Sequence, residues 1–277
     1  MKINCLSEYK KVLRELDKNK PVKNLFLRDS TSKFELIEMQ KGNYPAIITI
    51  NGFLSEDSIN SNDWKASIKK SYPNNAWFHL EWNSQKMPFT KSQRKSKRHS
   101  EQKKEKKPSF WYIKNLLYIN APSLFLTKDL VFNNHWSLSL RNSKHCGVCL
   151  SEILNSCYEG KFLLIGHSLG ARVIYHCLKQ NVILRNKKNI VEVHLLGGAV
   201  SSSQRKWKSI ESFSKLKIFN YYSSNDDVLK YLYKISMLNP NSIGLGSINL
   251  KNVENNDTSE IIKGHTDYIS NFLKINR

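Results

Sequence analysis

The sequence predicts a single-domain α/β fold, a mostly parallel and doubly wound sheet carrying one insertion. Three observations point to it. Short, nearly continuous apolar runs recur at Pro45–Ile50, Phe162–Ile165 and Ile190–Leu196, and such runs are strands buried on both faces. Segments with helical spacing alternate with them, the pattern of parallel βαβ units. The chain has 277 residues, of which 40% are hydrophobic and 11% aromatic. That is enough for one large core and too apolar for a disordered chain.

From the N-terminus, residues 3–19 pattern as an amphipathic helix that stops before Pro21. Asn24–Arg28 and Phe34–Gln40 read as short strands, so that residues 1–44 join the sheet ahead of the core at 45–277. The first core strand is Pro45–Ile50, closed by Asn51-Gly52. A helix begins near Asn62, and Ala76–Trp82 is the second core strand. An insertion follows. A basic loop at 86–108 leads into an apolar segment at 109–133, which contains Phe110–Ile119 and Leu124–Phe132. Regular alternation then resumes: helix His145–Cys157, strand Phe162–Ile165, helix Ala171–Gln180, strand Ile190–Leu196, short helix Trp207–Phe213, strand Leu216–Tyr222 and helix Val228–Ile235. A last strand is expected at Ser247–Leu250 and a last helix at Thr266–Leu273.

Charge is the outlier of the composition. The formal net charge is +21 and the pI about 9.7, a balance that suits an acidic partner. Ten Lys and Arg between Lys86 and Lys107 oppose only Glu101 and Glu105, giving that loop a net charge of +8. The remainder is spread along a chain rich in Lys, Asn and Ile, as compositional bias alone produces. Past Phe89 the loop interleaves no Phe, Tyr or Trp on which bases could stack, which argues against nucleic acid. With the aromatic segment beside it, the loop fits an anionic lipid surface instead. No apolar run approaches the roughly 20 residues of a membrane span, and the N-terminus has no signal-like apolar stretch. Five cysteines suit reduced thiols in a cytosol-like compartment, so a cytoplasmic protein, peripheral at a membrane, is expected.

The strongest chemical signal is Gly166-His167-Ser168-Leu169-Gly170, directly after one buried strand and directly before a helix. A turn that tight forces a strained backbone on the serine, and glycines two residues either side remove collisions. The helix N-terminus then points amides and its positive dipole end at a reacting carbonyl. A serine so placed needs a base, and the expected chain order is serine, acid, histidine. Downstream of the elbow helix only His194 and His265 remain. His194 lies inside a strand and reads as a sheet residue. His265 follows Gly264 in a loop before the last helix, where a base belongs. Asp226, just after strand Leu216–Tyr222, is the expected acid; Asp227 reads as a helix N-cap, and Asp257 and Asp267 are the outside candidates. The oxyanion donors are expected to be the amide of Leu169 and that of Phe53 or Gly52, since Gly52 lets the backbone approach the substrate.

These motifs resemble those of α/β hydrolases, and several resemble one family in particular. Gly166–Ile174, Asn134–Trp136, Leu195–Val200, Asn220–Leu229, Val253–Asp257 and Gly264-His265 are similar, in order, to the hydrolase family of the transmembrane and coiled-coil domain proteins. The resemblance covers roughly Pro45 to the C-terminus. It implies a serine-hydrolase fold with Ser168, Asp226 and His265 at the triad positions; nothing in the sequence calls for a cofactor, and membrane residence is not carried over, because the transmembrane helices of eukaryotic members have no counterpart here.

His145, Cys146, Cys149 and Cys157 could suggest a metal or redox site, but their spacing is that of one packed helix face. No phosphate-binding glycine loop and no paired-carboxylate motif occurs. The expected activity is hydrolysis of carboxylic esters, lipid-like in character, through an acyl-enzyme. The rival readings are amide or thioester hydrolysis by the same triad, and a non-catalytic nucleic-acid- or membrane-binding module on the same fold.

Overall fold

The computed structural model describes residues 2, 4, 6–18, 33–53, 61–84, 122–157, 160–185, 189–213, 215–230 and 241–276, with the backbone alone at 17–18, 61–63 and 122–135. The expected strand at 24–28, the basic loop at 86–108, the apolar segment at 109–121 and most of the helix at 228–235 lie outside the described residues.

Seven strands form one sheet: β1 (Phe34–Gln40), β2 (Asn43–Ile50), β3 (Asn75–Trp82), β4 (Phe162–His167), β5 (Ile190–Leu196), β6 (Lys217–Tyr222) and β7 (Val253–Asp257). Their spatial order is β1-β3-β2-β4-β5-β6-β7. All neighbours are parallel except β1, which runs antiparallel to β3. β4 is buried at all six positions, as its unbroken apolar sequence demands of a central strand covered on both faces.

Helices cover both faces. Against one lie α1 (Tyr9–Lys18), α3 (Pro122–Ser156) and α4 (Leu169–Ile183), with Trp136, Leu150, Ile153, Val173, Ile174 and Leu178 in the core they share with the sheet. Against the other lie α2 (Ser61–Ser71), α6 (Asp267–Ser270) and α7 (Phe272–Ile275), packed through Trp64, Ile68, Tyr268 and Phe272. Between β5 and β6 runs the short α5 (Gln204–Trp207). From β2 the chain moves outward to β3, then returns past β2 to β4. The carboxyl ends of β2 and β4 therefore flank the point where winding reverses, which is where open α/β sheets form a crevice for ligands.

Several expectations are corrected. The last strand is Val253–Asp257, not Ser247–Leu250. Ile248 and Leu250 are buried, but from a loop that Asn255 holds: its side chain accepts from the Ile248 amide at 2.8 Å and donates to the Ile248 carbonyl at 2.9 Å. The expected closing helix is two short ones, α6 and α7, and the expected helix 207–213 is α5 followed by a 3-10 turn at Ile210–Ser212. Residues 145–156 are the end of a 35-residue helix that begins at Pro122, so the C-terminal part of the expected insertion and Asn134–Trp136 belong to α3.

Candidate active site

Ser168 stands between β4 and α4 with φ 57° and ψ −117°, a conformation that costs a non-glycine residue of order 1–3 kcal/mol. Close packing over-determines it. The Ser168 amide donates to the Leu196 carbonyl at 3.0 Å, and its own carbonyl accepts from Ala199 at 3.1 Å. A side chain on Gly170 would strike the carbonyl oxygen of Ile50, and one on Gly166 would come within 2.6 Å of the Gly170 backbone. The two glycines of the motif are there because α4 starts against both its own strand and β2.

β2 ends at Ile50, and Asn51-Gly52-Phe53 turns over the same edge. A Cβ on Gly52 would lie 2.6 Å from Ser168 Cβ and 3.1 Å from Ser168 Oγ, so this loop runs directly alongside the serine. Leu169 is the first residue of α4 and fully buried; first-turn amides of a helix have no partner within it. The three backbone positions expected as oxyanion donors thus lie on the two segments that meet at Ser168.

Two indoles hold the β2 loop. Trp64 Nε1 of α2 donates to Asn51 Oδ1 at 2.7 Å, and Trp82 Nε1 at the end of β3 donates to the Asn51 carbonyl at 3.0 Å. The Phe53 ring meets the Trp136 ring edge to face, centroids 5.1 Å apart. Trp136 of α3 therefore bears on the loop beside the serine.

The fold brings Asp226 and His265 together. Nδ1 of His265 lies 2.7 Å from Asp226 Oδ2. Asp226 is fully buried and His265 only 8% exposed. A carboxylate oxygen can only accept, so Nδ1 carries the hydrogen and Nε2 is left as the basic nitrogen of the neutral ring. The other carboxylate oxygen accepts from the Leu229 amide at 3.0 Å. Asp226 is thus also the cap of the following turn, a role the sequence had suggested for Asp227; Asp227 instead pairs with Lys230 at 3.1 Å on the surface. Asp257 and Asp267 serve elsewhere: Asp257 accepts from the amide and hydroxyl of Ser259, and Asp267 from the Lys263 amide at 3.0 Å.

The site contains one residue that sequence reasoning passed over. His167 Nε2 lies 2.7 Å from the backbone carbonyl oxygen of His265, and the two rings are 4.7 Å apart. Burial holds its pKa far down, at about 3, with the charge of His265 acting in the same direction. In sequence it is only the variable residue before the serine, and no local pattern marks it.

The residues set aside stay outside the site. His194 is buried in the sheet, bonded to Glu192 at 2.8 Å and to the Tyr221 hydroxyl at 3.1 Å. Cys146, Cys149, Cys157 and Cys177 are buried free thiols; burial pushes the thiols of Cys146 and Cys177 up, which makes them inert packing groups. Glu81, buried near the C-terminal end of β3, pairs with Lys33 at 3.1 Å.

A sheet of this strand order, with a strained serine at its switch point, is the α/β-hydrolase architecture. The class follows from topology and elbow geometry. Within it, residues 28–276 match the model of the family described as protein of unknown function DUF726, and the chain belongs to that family. Relatives include the rice transmembrane and coiled-coil domain-containing protein STS1, 32% identical over 152 residues, and an uncharacterised membrane protein of Caenorhabditis elegans, 32% identical over 160 residues. These alignments cover 54% and 56% of this chain but only 23% and 26% of the relatives, so the chain spans about a quarter of their length. The probable lipase MIL1 of Saccharomyces cerevisiae is 27% identical over 161 residues, 57% of this chain and 15% of that protein. Among solved structures, mouse alpha/beta hydrolase domain-containing protein 10 is 11% identical with a TM-score of 0.42, over 87% of this chain and 90% of that one. So loose a superposition adds nothing to the strand order.

Proposed function

We propose that the protein is a serine hydrolase of carboxylic esters, with Ser168 as nucleophile, His265 as base and Asp226 as the group that orients it. The observation that carries this reading is the 2.7 Å bond from His265 Nδ1 to Asp226 Oδ2, made by a loop that is itself tied to the residue preceding Ser168. Ser168 Oγ attacks the ester carbonyl carbon as its proton passes to His265 Nε2. Asp226 keeps the ring in the tautomer that can accept that proton and stabilises the imidazolium. The oxyanion is held by the amide of Leu169 and by that of Phe53 or Gly52. Collapse transfers the proton to the departing alcohol and leaves an acyl-enzyme. Water, deprotonated by His265, then releases the acid and restores Ser168.

A lipid-like ester presented at an anionic membrane surface is the substrate class best supported. A relative is named a probable lipase, others are named membrane proteins, and the +8 loop and aromatic segment of 86–133 suit an anionic interface. No helix among the described residues is long and apolar enough to cross a membrane, and no cofactor enters the chemistry proposed. The test compares wild type with Ser168→Ala on esters of graded acyl length in anionic and zwitterionic vesicles. Hydrolysis confined to the wild type and faster on anionic vesicles supports the reading; equal hydrolysis by both proteins opposes it.

A further inference from the structure

We propose that His167 is a positioning residue, whose ring N–H clamps the main chain of His265 and so fixes where the base stands relative to Ser168. The inference rests on the reading of Ser168 and His265 as nucleophile and base.

Asp226 grips only the Nδ1 end of the His265 imidazole. One bond at one end leaves the ring free to follow any shift of its own backbone, and that backbone is a loop preceded by Gly264. His167 supplies the second anchor, at 2.7 Å from Nε2 to the His265 carbonyl oxygen. A carbonyl oxygen can only accept, so Nε2 of His167 carries the hydrogen and the neutral ring leaves Nδ1 bare. The anchor is short in covalent terms as well: His167 is peptide-bonded to Ser168. Base and nucleophile are therefore referred to one rigid element, the end of β4. The ring cannot swing away, since the His265 ring lies 4.7 Å off and the Tyr268 ring 5.9 Å off, and Tyr268 is fully buried.

Electrostatics suits this role. Burial is the main reason that the ring stays neutral. A cation at this distance would oppose the positive charge that His265 gains as Ser168 attacks. A neutral donor holds the loop without that penalty.

The experiment compares wild type, His167→Phe and His167→Gln. Phenylalanine keeps a ring but has no donor; glutamine places an amide N–H at a similar reach. The rate of Ser168 labelling by a fluorophosphonate, kcat and KM on a p-nitrophenyl ester, and thermal melting are measured on each. His167→Phe is expected to lower labelling rate and kcat by ~10–100-fold, the scale of a displaced catalytic group, with KM within about twofold, and His167→Gln to recover most of the loss. Labelling of His167→Phe at the wild-type rate, or a folded His167→Gln as impaired as His167→Phe, overturns the inference. Nitrogen NMR of the wild type decides independently of any variant's folding: His167 protonated at Nε2 supports the clamp, and protonated at Nδ1 it refutes it. A wild type that takes no label sinks the hydrolase reading instead.

Discussion

One carboxylate does two jobs at Asp226: Oδ2 lies 2.7 Å from His265 Nδ1, and Oδ1 accepts the Leu229 amide at 3.0 Å. Asp226→Asn separates them. The amide oxygen can still cap Leu229, but the NH₂ group then faces His265 and forces the hydrogen onto Nε2, the nitrogen that must accept the serine proton. Ester hydrolysis at neutral pH is expected to fall on the order of 10³–10⁴-fold with little change in melting temperature. Asp226→Ala is expected to lower both. Parallel kinetics and thermal melts of the two variants check this.

The loop beside Ser168 depends on donors from elements far away in sequence. Trp82→Phe removes the N–H that holds the Asn51 carbonyl. Loss of one such bond is worth about 1–2 kcal/mol, which corresponds to roughly tenfold in rate if it is felt in the transition state. The expected result is a tenfold lower kcat with KM within about twofold. Steady-state kinetics on a soluble ester measure it; a change in KM alone assigns the tryptophan to substrate binding.

Three histidines, His79 and His167 buried and His176 half-buried, set the acid limit of stability. Burial, the largest cause in each case, lowers the pKa of His79 to about 4 and those of His167 and His176 to about 3. Each stays neutral in the native state while the unfolded chain takes up its proton near pH 6.5, the ordinary value. The unfolded state then binds more protons, so stability is full above pH 6.5 and falls as pH drops from there toward 3–4. Urea denaturation at pH 7, 6, 5 and 4 is expected to show a steadily falling midpoint. His79→Gln is expected to lessen the slope, because its amide can still pair with Thr49 Oγ1, which lies 2.9 Å from His79 Nδ1.

How much was legible in the sequence follows the range of the interactions. The elbow could be read because a buried strand, two glycines and a helix adjoin within a dozen residues; the expectation of an acid and then a histidine came from the chain order usual for this fold. β7 could not. Val253-Glu-Asn-Asn-Asp257 has no apolar alternation because it pairs only with β6 at the sheet edge, whereas Ile248 and Leu250 look like a strand and are loop residues tucked into the core. α3 reads in the sequence as two apolar pieces, Leu124–Phe132 and His145–Cys157, with Asn134-His135-Trp136 between them. The indoles on Asn51 and the His167 clamp were invisible for one reason: each joins residues 13, 31 and 98 positions apart, and no local pattern encodes such a pairing.

The most direct measurement concerns Ser168 itself. Wild type and Ser168→Ala are treated with a fluorophosphonate, digested and mapped by mass spectrometry, with ester hydrolysis followed alongside. The expected result is one adduct, on the peptide containing Ser168, with stoichiometric loss of hydrolysis, and neither labelling nor hydrolysis in the variant. An unlabelled wild type, or a Ser168→Ala protein that hydrolyses the ester at the wild-type rate, contradicts the assignment of Ser168 as nucleophile.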